Sequence, residues 1–261
     1  MLTISASCAI ICAAAAFAGG FIDAISGGGA LLTIPALLLT GVPPHLALGT
    51  NKIGACMGTI VSLANFGRHG LVAWRLAAWG IAFSFAGSWA GSLTALYIDA
   101  ALLGKIIVAL LPAALLATLL PSKKNQAEHA DPTGGRFWLA VPILCLFVGF
   151  YDGFFGPGTG SILILLLHWI VGMSLIRASG TAKALNLASN FSAAVSFIWH
   201  GTVIWSLGLI MGCCFMAGNW LGSALAIRAG SKAVRRFLIL SLVLLMASLV
   251  WQYFIAPLLG N

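Results

Sequence analysis

The chain consists of about ten long apolar runs separated by short polar, glycine or proline interruptions. The runs lie near 4–25, 30–42, 45–66, 73–98 and 101–120, and then near 137–155, 159–172, 175–199, 203–227 and 234–255. A helix needs roughly 20 residues to cross a hydrocarbon layer of about 30 Å, so most runs predict membrane-spanning helices. Runs 30–42 and 159–172 are too short to cross and predict broken half-helices. The predicted fold class is an all-α polytopic membrane protein.

Composition and charge exclude a soluble protein. Only 7% of the residues are charged, whereas soluble domains carry about 25%. The net charge of +8 comes from Lys and Arg scattered between apolar runs, which is typical of cytoplasmic loops. We therefore expect contact with membrane lipid, no nucleic acid and no cofactor. The six cysteines show no metal-ligand or redox spacing. The first run has no basic residue before it, which favours a retained helix over a cleaved signal peptide.

The two halves of the chain repeat the same motifs in the same order. Gly20-Phe21-Ile22-Asp23 returns as Gly149-Phe150-Tyr151-Asp152, and Thr50-Asn51-Lys52 returns as Thr181-Ala182-Lys183. Such agreement indicates a duplicated unit. Since 121–136 is the one sustained polar stretch, it predicts a linker between a first transmembrane repeat, 1–120, and a second, 137–261.

Charge at equivalent loops predicts that the repeats have opposite orientations. The loop after the third run carries Arg68 and Arg75, while its counterpart around 200–205 has no Lys or Arg. The loop before the last run of each half shows the reverse bias, with four basic residues only in the second half. By the positive-inside rule, the Arg68 loop and the linker face the cytoplasm and both chain ends lie outside. The prediction is two inverted-topology repeats of about five helical segments each.

Glycine-rich breaks in the apolar runs mark the candidate binding site. Gly and Pro let the backbone leave helical geometry, which in a membrane is tolerated where protein covers it or water fills a cavity. Half-helices that begin after these breaks, near Ala30 and Thr159, would direct their positive N-terminal ends at the cavity and favour an anion. The candidate backbone site comprises Gly27, Gly28, Gly29, Gly156, Gly158 and Thr159.

Two lysines and two aspartates lie inside apolar runs, where an unpaired charge costs several kcal/mol. Lys52 and Lys183 occupy equivalent positions in the two halves and are candidate anion ligands. The alternative is that they reach the membrane interface, or form structural ion pairs with Asp23 or Asp152. The aspartates are candidates for proton coupling or for tuning the lysines.

Other polar residues on the lysine-bearing runs are candidate substrate ligands, or polar contacts between helices. They are Asn51, Thr50, Thr181, Asn186 and Asn190. His69 and His200 precede glycines at run ends, which favours a capping or interfacial role. The pairs Gly87/Gly91 and Gly218/Gly222 have the four-residue spacing of close helix packing.

Three motifs of the sequence resemble those of the TauE/SafE family of bacterial membrane permeases. They are Gly20 to Pro35, Thr50 to Lys52 and Gly149 to Ser161, and the resemblance covers nearly the whole chain. It implies an inner-membrane anion exporter of the sulfite and sulfonate class, with the motif regions forming the translocation path. The second half departs from the first at Ala182, opposite Asn51, so the two half-sites need not contribute equally.

The predicted function is therefore secondary transport, as an exporter, of a small sulfur-containing anion such as sulfite or an organosulfonate, by alternating access around a central site. The alternatives are a cation or metal permease that uses Asp23 and Asp152, and an intramembrane enzyme that uses Ser161 and His168. The sequence has no ATP-binding motif, so we expect coupling to a proton or ion gradient, or to a separate partner. Substrate identity, direction, coupling ion and assembly into a homo-oligomer stay open.

Overall fold

Every regular element in the described part of the chain is a helix. The computed structural model describes residues 6–99, 102 and 135–250. The helices are α1 (Ala6–Ser26), α2 (Ala30–Leu39), α3 (Pro44–Arg68), α4 (Trp74–Tyr97), α5 (Gly135–Phe154), α6 (Thr159–Leu166), α7 (Leu175–Trp199) and α8 (Trp205–Val250). The predicted fifth segment, 101–120, lies outside the described residues except for residue 102, and so does nearly all of the predicted linker.

The two predicted helix breaks are confirmed. α1 ends at Ser26 and α2 begins at Ala30, while α5 ends at Phe154 and α6 begins at Thr159. α2 has 10 residues and α6 has 8, so each is a half-helix. A π-helical turn, Leu167–Val171, extends α6. Gly27 and Gly156 adopt φ of 77° and 95°, a left-handed conformation that other residues rarely adopt.

The predicted boundary between runs 203–227 and 234–255 lies at a kink in α8. Gly230 has φ 64° and ψ −157°, which is not helical, so α8 consists of two helices that meet at this residue. The break is a single glycine in the basic stretch rather than a longer loop, because glycine can adopt this conformation without a steric penalty.

α1 and α2 form a hairpin. Thr40, just after α2, lies beside Cys8 and Cys12 near the start of α1, with its Oγ1 3.6 Å from the Cys12 sulfur. α2 therefore runs back along α1, and residues 27–29 form the tip of the hairpin. This tip contacts the first turn of α6, where a Cβ atom on Gly27 would lie only 2.6 Å from the Ser161 backbone nitrogen. The two helix breaks thus meet inside the protein.

Glycines let helices from opposite halves pack closely. α1 packs against α8, and the equivalent pair, α5 and α4, packs in the same way. A Cβ atom on Gly218 would lie 2.8 Å from the Phe21 backbone nitrogen, and one on Gly87 would lie 2.9 Å from that of Phe150. Both are shorter than ordinary contacts, so the predicted close-packing role of these glycine pairs is confirmed.

α3 and α7 are antiparallel neighbours at the centre. The hydroxyl oxygen of Thr50, near the start of α3, accepts a hydrogen bond from the Ile204 N–H after the end of α7, at 3.0 Å. Thr181, near the start of α7, accepts one from the Ala73 N–H after the end of α3, also at 3.0 Å. Each helix therefore begins beside the end of the other.

Exposed basic side chains gather at one end of the molecule. The start of α7 lies beside the loop after α3, and its Ile176 N–H donates to Ser231 Oγ at the kink in α8. The exposed cations near these three segments, which we call the basic end, are Arg68, Arg75, Arg228, Lys232 and Arg236. The loop at 200–204, beside the start of α3, contains no Lys or Arg.

Several described helices are suited to a membrane. Segments Ala6–Ser26, Pro44–Arg68 and Trp205–Lys232 are long and apolar enough to cross one. Large apolar side chains are exposed on the outer surface, among them the equivalent Trp74 and Trp205, which are 53% and 51% exposed. α7, by contrast, is buried along most of its length and carries many Ser and Asn residues. The polar side chains of α7 therefore lie inside the helix bundle, while the outer surface is rich in large apolar side chains, as contact with lipid requires.

Candidate functional site

A small polar cavity lies where the two helix breaks meet. Its empty volume is about 320 Å³, counting any part that is open to solvent. The lining is divided evenly between the halves: Asp23, Gly27, Ala30, Asn51, Lys52 and Ala55 from the first, and Asp152, Gly156, Gly160, Asn186, Asn190 and Phe215 from the second. Ala30 and Gly160 belong to the first turns of α2 and α6, so the positive ends of both half-helices adjoin this space.

Lys52 is buried and forms a charge pair with the opposite half. Its ammonium nitrogen lies 2.9 Å from Asp152 Oδ1 and 2.9 Å from Asn190 Oδ1. Ser189 donates a hydrogen bond to the other oxygen of the same carboxylate. An ammonium group has three N–H donors, and these two contacts are the ones that Lys52 makes among the described residues. One donor therefore remains for a ligand.

Lys183 forms the equivalent ion pair, in which the lysine belongs to the second half and the aspartate to the first. Its nitrogen lies 2.8 Å from Asp23 Oδ2 and also donates to the Asp23 backbone carbonyl. The ion pairs foreseen as an alternative are thus present, and each joins a lysine of one half to the aspartate of the other. If all four groups are ionised, their charges cancel. The half-helix ends then supply the remaining positive potential.

The two ion pairs have unequal surroundings. Asn190 and Ser189, which support the Lys52 pair, stand seven and six residues after Lys183, whereas Thr59 and Gly58 occupy those positions after Lys52. The buried Thr59 hydroxyl has no hydrogen-bond partner among the described residues. The Asp23 side chain is 14% exposed and that of Asp152 is 2% exposed. The Asp23 pair is therefore less enclosed and has fewer side-chain partners.

Removing one member of a buried ion pair lowers the free energy of unfolding by more than the intact pair adds to it. A paired charge in low dielectric roughly balances its desolvation, but an orphaned charge costs about 3–5 kcal/mol. Lys52 and Asp152 are each about 2% exposed. Breaking their contact would therefore destabilise the packing of the two halves against each other.

The structure brings seven of the predicted site residues to the cavity. These are Gly27, Gly156, Asn51, Lys52, Asn186, Asp23 and Asp152. The others lie close by or elsewhere. Lys183 is buried behind Asp23, and the hydroxyls of Thr50 and Thr181 bond the loops of the opposite half.

The remaining predicted residues shape the two breaks. Gly29 packs against Gly19 and Asp23, and the Gly28 carbonyl accepts the N–H of Leu31. Gly158 precedes α6 with φ 81°. Thr159 donates its hydroxyl to the Gly156 carbonyl at 2.7 Å. Their role in this structure is to hold the backbone of the breaks in place.

Ser161 and the two histidines at the helix ends make structural contacts. Ser161, the proposed enzyme nucleophile, donates its hydroxyl to the Ser26 carbonyl at 2.6 Å and thereby closes the end of α1. His69 and His200 each place Nδ1 2.8 Å from the backbone carbonyl four residues earlier. The predicted capping role of these histidines is confirmed.

Two further residues contact the charges of the site. Asn190, a polar candidate on the run that carries Lys183, bonds Lys52 of the other half. Ser189, which is not among the sequence-based candidates, bonds Asp152. The four-residue spacing from Asn186 to Asn190 places both on one helix face and could have extended the site. No sequence signal identified the cross-half partner.

Comparison with known proteins identifies the family. The family model described as Sulfite exporter TauE/SafE matches residues 12–249. A probable membrane transporter protein of Haemophilus influenzae is 35% identical over 90% of this chain and 92% of its own length. The probable membrane transporter protein YfcA of Escherichia coli K12 is 37% identical over 91% of this chain and 87% of its own length. No solved structure matches the chain significantly. The chain therefore belongs to the TauE/SafE family of membrane transport proteins.

Proposed function

We propose that this chain is a secondary transporter that exports a small sulfur-containing anion, such as sulfite or an organosulfonate, across the bacterial inner membrane. The observation that carries the proposal is the cavity that both halves line with a helix break and with ionisable side chains. Binding sites at discontinuous helices between two repeats recur in secondary transporters. The description of the matching family, sulfite exporter, supports the substrate class.

Lys52 is the positively charged side chain to which we assign binding of the anion. It lines the cavity and keeps one N–H donor free of the described residues. The first turns of α2 and α6 add the positive ends of two helix dipoles. A cation would instead need unengaged carboxylates, and both aspartates of the cavity already bind lysines. These contacts favour an anion over the cation alternative.

Proton coupling is assigned to Asp23. Its carboxylate is more exposed than that of Asp152, and its ion-pair partner among the described residues is Lys183. The cavity also brings Lys52 and Asp152 near it. Protonation of Asp23 would remove the charge that pairs with Lys183 and leave this lysine its bond to the Asp23 backbone carbonyl, so that the lysine could change partners as the site opens. The Lys52 pair, with its two additional hydrogen bonds, would stay fixed.

The flux of anions into liposomes tests the proposed function directly. We expect purified protein in liposomes to exchange labelled sulfite or methanesulfonate across the bilayer, with saturation at millimolar concentrations or below. Liposomes without protein provide the baseline, and labelled methylammonium provides the cationic comparison. Flux of methylammonium with no flux of any anion would support the aspartate-based cation permease and overturn the proposal.

The inverted orientation of the repeats is supported by the antiparallel packing of α3 and α7. In this arrangement the basic end faces the cytoplasm and both chain ends face the periplasm. Arg75 and Ser206 are exposed and equivalent, each following a tryptophan that begins a helix. They therefore offer matched positions for a topology test.

We expect Arg75→Cys and Ser206→Cys to be labelled from opposite sides of the membrane, in a background from which the six native cysteines are removed. A membrane-impermeant maleimide applied to right-side-out and inside-out vesicles measures this. Arg75→Cys should react only in inside-out vesicles and Ser206→Cys only in right-side-out vesicles. Reaction of both from one side would rule out the inversion.

A further inference from the structure

The hydrogen-bond chain that begins at Lys52 fixes the orientation of an asparagine in the cavity. The Lys52 ammonium can only donate, so the Asn190 atom 2.9 Å from it must be the carbonyl oxygen. The Asn190 amide nitrogen then faces Asn186 at 2.9 Å, and the Asn186 atom that receives it must be its carbonyl oxygen. The Asn186 amide nitrogen is consequently directed away from this chain of bonds.

This nitrogen has no hydrogen-bond partner among the described residues. It is accessible rather than sealed in the core, although Asn186 as a whole is only 5% exposed. Because Asn186 lines the cavity, its two N–H donors are available to a ligand there. A bound ligand with acceptor oxygens would therefore supply hydrogen-bond partners that the described residues do not.

A second amide of the same kind comes from the first half. Asn51 also lines the cavity, and its carbonyl oxygen accepts the Thr33 hydroxyl at 2.6 Å. Its amide nitrogen is likewise without a partner among the described residues. The two asparagines are not equivalent by sequence, since Ala182 corresponds to Asn51 and Ala55 to Asn186. Each half therefore contributes one amide donor from a different position.

We infer that Asn186 and Asn51 are hydrogen-bond donors for an ionised oxyanion group such as a sulfonate. Lys52 both supplies charge and, through Asn190, positions the Asn186 donor. A ligand with several acceptor oxygens and no proton on them matches donors that arrive from both halves. The inference rests on the proposed function and specifies how its anion is recognised.

Binding of methanesulfonate and of methylammonium to the purified full-length protein, measured by titration calorimetry in detergent, tests the inference. Methanesulfonate is fully ionised at neutral pH and has acceptor oxygens only. We expect Asn186→Ala, which installs the residue found at the equivalent Ala55, to weaken methanesulfonate binding about tenfold to a hundredfold, as loss of a hydrogen bond to a charged ligand does. Asn186→Asp keeps the acceptor for Asn190 but replaces the donor with a negative charge, so its loss should be larger.

Asn65→Ala is the matched control. Asn65 lies on α3 and bonds Ser223 at 2.8 Å, and it does not line the cavity. The Asn65→Ala variant should bind methanesulfonate with the affinity of the wild type. A general packing defect at position 186 would weaken methanesulfonate binding equally in Asn186→Ala and Asn186→Asp, whereas loss of a donor predicts the larger loss in Asn186→Asp.

The possible results separate the inference from the proposed function. Wild-type affinity for methanesulfonate in folded Asn186→Ala would overturn the inference while leaving anion transport in place. Absence of binding and flux for every tested anion in the wild type would overturn both. Equal losses in Asn186→Ala and Asn65→Ala would also contradict the donor role.

Discussion

Replacing Lys52 with methionine is expected to lower the free energy of unfolding by about 3–5 kcal/mol, because it leaves Asp152 buried without its cation. Methionine keeps most of the volume of the lysine stem, so the loss reports charge rather than packing. Thermal unfolding in detergent, followed by intrinsic tryptophan fluorescence, measures the shift. The double variant Lys52→Met, Asp152→Asn removes both charges and should recover most of this stability.

Anion affinity should not recover with stability in the double variant. With no charge at position 52, we expect a loss of about 2 kcal/mol, roughly 30-fold, as for removal of a hydrogen-bonded charge partner in a desolvated site. The matched variants are Lys183→Met alone and Lys183→Met combined with Asp23→Asn. Because Asp23 is more exposed than Asp152, we expect Lys183→Met alone to lower the free energy of unfolding by less than Lys52→Met does. Wild-type anion affinity in the stable Lys52 double variant would leave the lysine with a structural role alone.

Replacing Gly27 with alanine is expected to destabilise the protein by about 2–4 kcal/mol. About 1 kcal/mol comes from placing alanine in the left-handed region, and about 1–3 kcal/mol from overpacking. The added Cβ would overlap the backbone of Gly160, which cannot move aside as a flexible side chain could. Since this contact joins the two helix breaks, transport should be lost even where the variant still folds.

Gly41→Ala isolates the conformational cost in the same experiment. Gly41 has φ 82°, close to the 77° of Gly27, but a Cβ atom there would meet nothing within 4 Å. We expect this variant to lose about 1 kcal/mol and to retain transport. Equal losses at the two positions would show that the contact between the breaks contributes nothing to stability.

The inequality of the two ion pairs has a consequence for the transport cycle. A duplicated protein with identical half-sites would bind a ligand equally in both. Here Asn190 and Ser189 hold the Lys52 pair, while Thr59 and Gly58 provide no equivalent bonds for the Lys183 pair. The Lys52 pair is therefore held by more hydrogen bonds than the Lys183 pair, and the proposed proton coupling is assigned to the less enclosed pair for this reason.

The local features of the site could be predicted from the sequence. Gly27 and Gly156 end helices because their left-handed backbone is compatible with few other residues. The starts of α2 and α6 at Ala30 and Thr159 follow from those breaks. Gly87 and Gly218 indicated close packing because their spacing aligns small residues on one helix face. Each of these depends on residues within a few turns of one another.

Only the tertiary structure decided which charges pair and which donors face the cavity. Lys52 and Lys183 are each separated from two aspartates by long stretches of chain, and the motif spacing is equally compatible with pairing inside a half or across halves. The antiparallel packing of α3 and α7 brings Lys52 to Asn190, and α5, which packs against α7, brings Asp152 to the same lysine. It also assigns the hydroxyls of Thr50 and Thr181 to the opposite loops instead of the cavity. A sequence fixes helix breaks through local backbone preference, whereas partners distant along the chain are selected by how whole helices pack.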